Sequence, residues 1–308
     1  MTTRRTVLKN LGIAPLAGIW GACSSTPDTP ETVDTPSEPT NPLAREVGVT
    51  TSSLGSHVAL HPSSDQIALF DMPRVLLDEF DMRVIDLNTT TLGESGLADL
   101  DRLRNEAAKT GSHLINLKMN QQGLNMDSPD EAVRAHAVTE YKKSIDVAAQ
   151  LGCRWARPLP LADEPDFSIH VKSYRELADY GAEKGVEMLV ENFGWMQDDP
   201  DSTLRIIEAV GHNISPCPDT GNWDSEELRF EGLARIFPTA VTCDFKAREI
   251  SPEGDHPLYD LKRCFETGWN AGYKGPWCLE HANPDRDTLF GELTLLRDML
   301  HQWMAEAA

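Results

Sequence analysis

Apolar residues follow two alternating patterns from Glu46 to the end of the chain. Short apolar runs, typical of buried strands, are separated by longer stretches in which apolar residues recur at helical spacing. The predicted strands are 46–54, 82–90, 113–121, 153–160, 186–191, 214–222, 240–248 and 276–283. The predicted helices are 67–80, 97–110, 128–151, 167–184, 201–210, 224–237, 259–270 and 288–304. Asp65 is a candidate cap for the first helix, and Gly152 is expected to close the third.

This order of elements predicts a fold class. Eight strand–helix units over roughly 260 residues fit a (β/α)8 TIM barrel, whose usual size is about 250 residues. A doubly wound open sheet is the rival, but it would require a glycine-rich phosphate-binding turn after an early strand, and the sequence has none. We therefore predict a single α/β domain, a TIM barrel, over residues 46–308.

The amino-terminal segment has a different character. Residues 1–22 combine the twin-arginine pattern of Arg4 and Arg5 with a short apolar run, which predicts an export signal. Gly21-Ala22-Cys23 resembles a lipoprotein cleavage site, so Cys23 is the expected lipid attachment point; cleavage near Ala22 without a lipid is the alternative. Residues 23–45 are rich in Pro, Ser, Thr and acids and predict an extended tether. The expected location is the periplasm or cell envelope, with attachment to a membrane only through the lipid.

The net charge excludes some classes of binding partner, and the cysteine content excludes a disulfide-stabilised fold. The formal net charge of the 308-residue chain is -21, which argues against non-specific binding to nucleic acid or to an anionic membrane surface. Six cysteines without a CxxC spacing do not form a disulfide scaffold. Four of them fall in predicted strands and are expected to be small buried side chains.

Acidic residues stand at the carboxyl ends of four predicted strands: Glu191, Asp219, Asp244 and Glu280. The carboxyl ends of parallel strands meet on one face of a barrel, which is where such folds place their chemistry. Several carboxylates in one low-dielectric mouth repel one another unless a cation or bound protons are present. Carboxylate oxygens suit the hard ions Mg²⁺, Mn²⁺ and Ca²⁺.

Four motifs surround these acids in chain order: VENFGW, DTGNW, Asp-Phe-Lys and GYKGPWCLEH. In composition and spacing they resemble the xylose-isomerase-like superfamily of sugar isomerases and epimerases. The resemblance extends from Glu46 to the end of the chain and is strongest from Gly185 to Asn283. It implies a TIM barrel that holds one divalent metal ion at its mouth.

The resemblance also implies roles for single residues. Glu191, Asp219 and Glu280 match three of the family's four metal ligands, and Asp244 stands where the family has a histidine. With Asp244 the ligand set is all oxygen, which favours Mn or Mg over Zn. Glu191 and Glu280 also match the family's acid/base pair, which moves a proton beside a carbonyl carbon, and Lys246 completes the expected catalytic group.

Four more residues are expected to contact the substrate. They are Arg157, Trp195, Asn222 and Arg248. Each assignment at the mouth has a structural alternative. The glutamates could pair with a neighbouring Arg or Lys, Asp219 could cap the helix that follows it, and Asp244 could pair with Lys246. The tryptophan could pack beneath its loop.

The leading hypothesis is a metal-dependent isomerase or epimerase of an unphosphorylated sugar or related polyol, since sugar phosphates are largely cytoplasmic. A lyase or hydrolase of keto-glycosides would use the same proton abstraction. A tethered carbohydrate-binding protein without activity is the alternative from another class. Action on abasic DNA, known in the same superfamily, would require a histidine-rich three-zinc cluster, which nine scattered histidines do not provide. A homodimer is expected by analogy with similar barrels.

Overall fold

A computed structural model describes residues 41–159 and 163–308. The predicted signal peptide, Cys23 and most of the predicted tether lie outside these residues. Residues 41–45, which the prediction assigns to the tether, form a turn, and Leu43 within it is only 1% exposed. Leu43 packs in an apolar cluster with side chains of the barrel strands, so the packed domain includes at least these last residues of the segment.

The described residues contain eight parallel strands that curl into a barrel, as predicted. They are β1 (Val47–Thr50), β2 (Val84–Asn88), β3 (His113–Met119), β4 (Trp155–Pro158), β5 (Glu187–Val190), β6 (Ile214–Pro216), β7 (Cys243–Lys246) and β8 (Trp277–Glu280). Each pairs with the next from β1 to β6, and β8 pairs with both β7 and β1. A single bridge between Asp219 and Asp244 joins the β6 and β7 sides and completes the ring.

A helix follows each strand. The helices that cover the barrel are α1 (Met72–Phe80), α2 (Leu97–Thr110), α3 (Glu131–Leu151), α4 (Phe167–Lys184), α5 (Ser202–Val210), α6 (Glu226–Ile236), α7 (Leu261–Asn270) and α8 (Arg286–Ala307), and one further helical turn spans Thr89–Leu92. Sequence signals explain their ends. The Asp130 carboxylate accepts hydrogen bonds from the first turn of α3, and Gly152 ends that helix with a φ of 80° that glycine adopts without strain. Among the described helices, none is both long and apolar enough to cross a membrane.

The predicted start of the first helix is wrong. Residues 67 and 68 form a short strand that pairs in parallel with Val58–Ala59, and α1 begins only at Met72. Asp65 is therefore not its cap. Pro73 lies in the first turn of α1, where its missing N–H costs nothing, and Asp71 precedes the helix.

The sixth strand is shorter than predicted. It ends at Pro216 because Pro216 and Pro218 have no N–H group to donate to a neighbouring strand. The backbone beyond it still bonds to both neighbours: Cys217 N donates to Val190 O at 2.8 Å, and Asp244 N donates to Pro218 O at 2.9 Å. This irregular segment carries Asp219 into the barrel mouth.

The opposite end of the barrel is apolar. A cluster of buried residues there includes Leu43, Val84, Ile115, Trp155, Leu189, Cys217 and Cys278. The cysteines predicted to be buried are buried and unoxidised. The layer beneath the charged mouth is thus built from buried apolar side chains.

Candidate active site

Three acidic side chains meet at the carboxyl end of the barrel. Glu191 directly follows β5, Asp219 lies in the loop after β6, and Asp244 lies within β7. Their exposed fractions are 3%, 0% and 0%. One carboxylate oxygen from each lies within 4.8 Å of the others, close enough to share a cation. We call these three residues the acidic triad.

Glu280, the fourth predicted ligand, lies beside the acidic triad and is held by two lysines. Lys246 Nζ lies 2.7 Å from Glu280 Oε1, and Lys118 Nζ lies 2.9 Å from Oε2. Burial alone would raise the pKa of Glu280, but the two ammonium groups outweigh burial and hold the pKa well below its usual range. With 20% of its side chain exposed, Glu280 is the acid of this group that reaches towards solvent.

Lys118 is a buried cation at the mouth that the sequence prediction did not select. It extends from β3, is 1% exposed, and places Nζ 2.6 Å from Asp244 Oδ1 as well as against Glu280. Burial alone would lower the pKa of Lys118, but the carboxylates of Asp244 and Glu280 raise it above its usual range, so the side chain is charged. The sequence analysis gave pairing of Asp244 with Lys246 as the structural alternative. A lysine does pair with Asp244, but it is Lys118.

Two other cations complete the mouth. The Arg157 guanidinium forms a buried ion pair with the Glu191 carboxylate and also donates to Asn120 Oδ1 at 3.3 Å. Lys246 Nζ lies 3.1 Å from Asp219 Oδ2. Arg157, predicted to bind substrate, is thus engaged with Glu191 and has an exposed fraction of only 3%.

Asparagine side chains fix the loop that carries Asp219. Asn222 Nδ2 donates to both Glu191 Oε1 and Asp219 Oδ2, at 3.0 and 2.7 Å. Asn192 Oδ1 accepts from Asp219 N at 2.8 Å, and its Nδ2 donates to the carbonyl groups of Asp219 and Asn222. Asn222, predicted to bind substrate, thus joins two carboxylates of the acidic triad. Asp219 Oδ1 also accepts hydrogen bonds from the backbone N–H groups of its own turn.

The remaining predicted substrate contacts fall in different environments. Arg248 is exposed, and its Nη2 donates to Asn222 Oδ1 at 3.2 Å. Trp195 is 9% exposed and packs edge-on against His170, with ring centroids 5.8 Å apart. The structure therefore places Arg248 at the mouth and Trp195 beneath its loop.

Asp86 is another buried acid that the sequence prediction missed. It points into the barrel from β2, is fully buried, and accepts a hydrogen bond from Asn116 Nδ2 at 3.0 Å. Burial raises the pKa of Asp86 to about 6 against the opposing charges of Lys118 and Arg157. The sequence does contain a signal for these residues, because polar side chains occur inside two otherwise apolar strands. Residues 86 and 88 share one face of β2, and residues 116 and 118 share one face of β3.

The donor atoms at the mouth fit a divalent cation. Five carboxylates (Asp86, Glu191, Asp219, Asp244 and Glu280) face three cations within the mouth (Lys118, Arg157 and Lys246) and the exposed Arg248 at its edge, so negative charge is in excess when all are ionised. Within the described chain, Asp244 Oδ2 is buried without a hydrogen-bond partner. Burial raises the pKa of Asp244 well above its usual value, and it raises the pKa of Asp219 to about 6. Both shifts are expected where the nearby cations do not balance the negative charge of the carboxylates.

A cavity of about 420 Å³ borders this group of charges at Lys246 and Glu280. Its lining includes Ser52, Ser53, Lys246, Arg248, Glu280 and His281. His281 anchors the cavity wall, because Nδ1 lies 2.8 Å from Ala247 O and Nε2 lies 2.7 Å from Glu292 Oε2. A small polar molecule in this cavity would contact the Glu280 carboxylate and the two cationic side chains first.

Comparison with known proteins agrees with this geometry. A family model described as "Xylose isomerase-like TIM barrel" matches residues 79–304. An L-ribulose-5-phosphate 3-epimerase, UlaE, of Salmonella typhi is 26% identical over 259 residues, which cover 77% of this chain and 87% of that protein.

Solved structures share the fold at lower sequence identity. An L-ribulose 3-epimerase superposes with a TM-score of 0.70 and 15% identity, over 85% of this chain and 95% of that one. A xylose isomerase-like TIM-barrel protein from Mycobacterium smegmatis, solved in complex with magnesium, superposes with a TM-score of 0.60 and 16% identity, over 85% and 97% of the two chains.

Proposed function

The chain belongs to the xylose isomerase-like TIM-barrel family, and we propose that it is a sugar isomerase or epimerase that uses one divalent metal ion. The similar proteins named above include sugar epimerases, which supports an activity of this class. The observation that carries the proposal is the acidic triad, whose buried oxygens lie within 4.8 Å of one another. Lys246, which pairs with Asp219, lines an open cavity together with Glu280.

Glu191, Asp219 and Asp244 would hold the ion. Their oxygen donors favour Mn²⁺ or Mg²⁺ over Zn²⁺. When bound, such an ion supplies Lewis-acid polarisation of the carbonyl and hydroxyl oxygens of a sugar. Asn222 and Asn192 hold the acids in place through the hydrogen bonds described above, so the oxygens are positioned before any ligand arrives.

Glu191 and Glu280 are the proposed proton carriers. They follow β5 and end β8, which lie well apart around the ring, so their carboxylates approach the mouth from different sides. One carboxylate takes the C–H proton beside the carbonyl. Return of a proton to the opposite face of the same carbon gives an epimer, whereas return to the neighbouring carbon gives an isomer. Lys246, in contact with Glu280, orients that carboxylate and neutralises charge that develops on substrate oxygen.

Arg248 and Lys246 line the cavity and are the proposed contacts to substrate hydroxyl groups. We also propose that the protein is exported, on the basis of the twin-arginine pattern and the residues around Cys23. An exported enzyme would meet unphosphorylated sugars, which distinguishes its proposed substrate from the phosphorylated sugar in the name of the relative from Salmonella typhi.

Exchange of a substrate C–H with solvent deuterium tests the function directly. Purified protein is incubated with unphosphorylated keto sugars, and separately with their phosphates, in heavy water containing Mn²⁺, and the label is followed by NMR. We expect exchange next to the carbonyl, loss of exchange with EDTA, and a fall of at least about a thousandfold in Glu191→Gln.

Glu187→Gln is the matched control, because Glu187 begins the same strand at the opposite end of the barrel and contacts Trp155 and Ser215. Its exchange rate should match that of the unaltered protein. Exchange only with sugar phosphates would overturn the substrate class. Cleavage of keto-glycosides with the same residue dependence would identify a lyase, and sugar binding without exchange would identify a binding protein.

A further inference from the structure

The loop between β7 and α7, residues 247–260, forms one wall of the cavity beside Glu280. Arg248, near the start of this loop, is the proposed contact to substrate hydroxyl groups. Its side chain is exposed and donates to Asn222 Oδ1 at 3.2 Å. An exposed arginine can adopt many conformations, so its position at the cavity depends on what fixes its backbone.

His256, from the far end of the same loop, contacts that backbone. Arg248 N donates to His256 Nε2 at 3.2 Å, and His256 Nδ1 lies 2.9 Å from Tyr259 O. The imidazole also packs against the Tyr259 ring, with the ring centroids 4.1 Å apart. One side chain thus joins the beginning of the loop to its end.

Tyr259 connects this contact to the barrel. It is 7% exposed, and its hydroxyl group donates to Lys246 O at 2.7 Å. Arg229 of α6 stacks on its ring, with Cζ 4.1 Å from the centroid, and Arg229 Nε donates to Thr220 O at 3.0 Å. Tyr259 is therefore held by β7 and, through Arg229, by the loop that follows β6. The imidazole of His256 rests on this fixed support.

The contacts of His256 require one form of its ring. Nε2 accepts from Arg248 N only if it has a lone pair, and Nδ1 then carries the proton that it donates to Tyr259 O. In the other neutral tautomer, Nδ1 would accept from Tyr259 N at 3.2 Å, and two N–H groups would oppose each other at Nε2. An imidazolium would keep the bond to Tyr259 O and lose the one from Arg248 N. Only the neutral ring protonated at Nδ1 makes both contacts.

The surroundings favour a neutral ring. Burial lowers the pKa of His256 below its ordinary value, and Arg229 and His281 act in the same direction. The bond to Tyr259 O and the carboxylate of Glu249 oppose this shift. At neutral pH the ring therefore accepts the backbone hydrogen bond, which is lost as the pH falls through the lowered pKa.

We propose that His256 is a positioning residue that fixes Arg248 at the edge of the cavity, and that protonation of its ring releases Arg248. This inference rests on the proposed function, in which Arg248 contacts substrate hydroxyl groups. His256 acts through Arg248 and does not touch the reacting atoms, so its loss should affect KM more than kcat. A merely structural histidine would show no dependence on the tautomer or charge of its ring.

The first test is ¹⁵N NMR of the histidine rings, with the His256 signals assigned by their loss in His256→Gln. At pH 8 we expect a neutral ring with its proton on Nδ1. The Arg248 backbone N–H should be protected from hydrogen exchange at least about tenfold, and this protection should fall as the ring takes up a second proton. A ring protonated at Nε2, or an unprotected Arg248 N–H at pH 8, would overturn the proposal.

The second test measures KM and kcat in the deuterium-exchange assay. His256→Ala should raise KM at least about tenfold at pH 8 and change kcat by less than about threefold. His256→Gln offers an amide oxygen in place of Nε2, so its KM should stay within about threefold of that of the unaltered protein. The KM of the unaltered protein should rise on acidification more than that of His256→Gln, which has no ring to protonate.

The matched control is His301→Ala, because His301 is an exposed histidine of α8. Its KM should equal that of the unaltered protein. Equal KM values in His256→Ala and His301→Ala would overturn the proposal, as would a KM in His256→Gln as high as in His256→Ala. If His256→Ala does not fold, the ring spectrum of the unaltered protein and the pH dependence of His256→Gln decide.

The NMR readout is independent of sugar turnover. An inactive protein with the expected ring tautomer and a protected Arg248 N–H would contradict the proposed function but support the role of His256 in fixing Arg248. An active protein whose KM does not respond to His256 would support the proposed function and overturn this inference.

Discussion

The two halves of the barrel mouth carry opposite charges. Strands β3 and β4 supply two buried cations, Lys118 and Arg157, whereas strands β5 to β8 supply the acidic triad and Glu280. The exceptions are Asp86 on the neighbouring β2, Lys246 at the end of β7, and Arg248 just beyond it. Ion pairs across the barrel, between these halves, therefore hold the mouth together.

Because of this difference, a metal ion need not both stabilise the folded mouth and carry out the chemistry. A mouth lined only with acids would depend on the ion both to fold and to act. Here Lys118 and Arg157 of the cationic half, together with Lys246, compensate part of the acidic charge in the absence of metal, and the acidic half retains uncompensated negative charge for the ion. Substitutions in the cationic half should therefore affect stability first, and substitutions in the acidic half should affect metal binding first.

Removal of Arg157 should give the largest loss of stability. Arg157→Met leaves the Glu191 carboxylate buried, with 4% of its side chain exposed, and without its cation. Breaking a buried ion pair costs about 3–5 kcal/mol of the free energy of unfolding. Denaturant titration of metal-free protein measures this loss, and saturating Mn²⁺ should reduce it.

The control is Arg74→Met, because Arg74 pairs with Asp78 on the surface, where both side chains are more than half exposed. It should change the free energy of unfolding by no more than about 0.5 kcal/mol. If the two variants lose equal stability, ion pairs across the mouth do not hold it together.

Asp86 should make the stability of the metal-free protein depend on pH. Its carboxyl group keeps its proton up to about pH 6 in the folded protein but loses it near pH 4 when unfolded. The folded state binds more protons over this interval, so its free energy of unfolding falls as the pH rises from about 4 to about 6. This contribution is about 3 kcal/mol.

Asp86→Asn removes the titrating group and keeps an acceptor for Asn116. Chemical unfolding from pH 4 to pH 7 should show a smaller decline in this variant than in the unaltered protein. If the free energy of unfolding declined equally in the two proteins, burial would not be keeping Asp86 protonated.

The sequence predicts the acidic half better than the cationic half. Acids directly after apolar strands form a local pattern, so Glu191 and Glu280 can be selected from the chain alone. Lys118 lies inside a predicted strand, where a single lysine has no local signal to separate it from a surface residue. Its role depends on reaching β7 and β8 across the barrel, which requires the closed structure.

The same reason explains why the partners of the predicted substrate contacts could not be foreseen. Asn222 and Arg157 were placed correctly at the mouth, but their partners, two carboxylates from other strands, are distant in the chain. Trp195 lies beneath its loop because His170 of α4 packs against it. Strand order and most helix boundaries, by contrast, follow from periodicity and caps, although the start of α1 was predicted wrongly. Prolines account for the shortened β6.

A glycine behind the acidic half should give a smaller effect that separates stability from metal binding. A Cβ atom added at Gly232 would lie 1.9 Å from Trp223 Cη2, and Trp223 Nε1 donates to the Asp219 carbonyl at 3.0 Å. Gly232→Ala should therefore cost about 1–3 kcal/mol of stability. It should also weaken Mn²⁺ binding, because displacement of Trp223 disturbs the loop that carries Asp219.

The matched control is Gly268→Ala in α7, where the added Cβ would press on Trp277 and Phe237 at 2.8 and 3.0 Å, away from the mouth. This variant should lose stability while its Mn²⁺ affinity stays unchanged. Equal Mn²⁺ affinities in the two variants would show that Trp223 does not support the acidic half.

The most direct test of the central claim is anomalous X-ray scattering from crystals of the protein grown with Mn²⁺. The account predicts one manganese peak at the barrel mouth, roughly 2.0–2.4 Å from oxygens of Glu191, Asp219 and Asp244. A mouth without a peak at saturating Mn²⁺, with the acidic triad still bound only by the three cations, would contradict it.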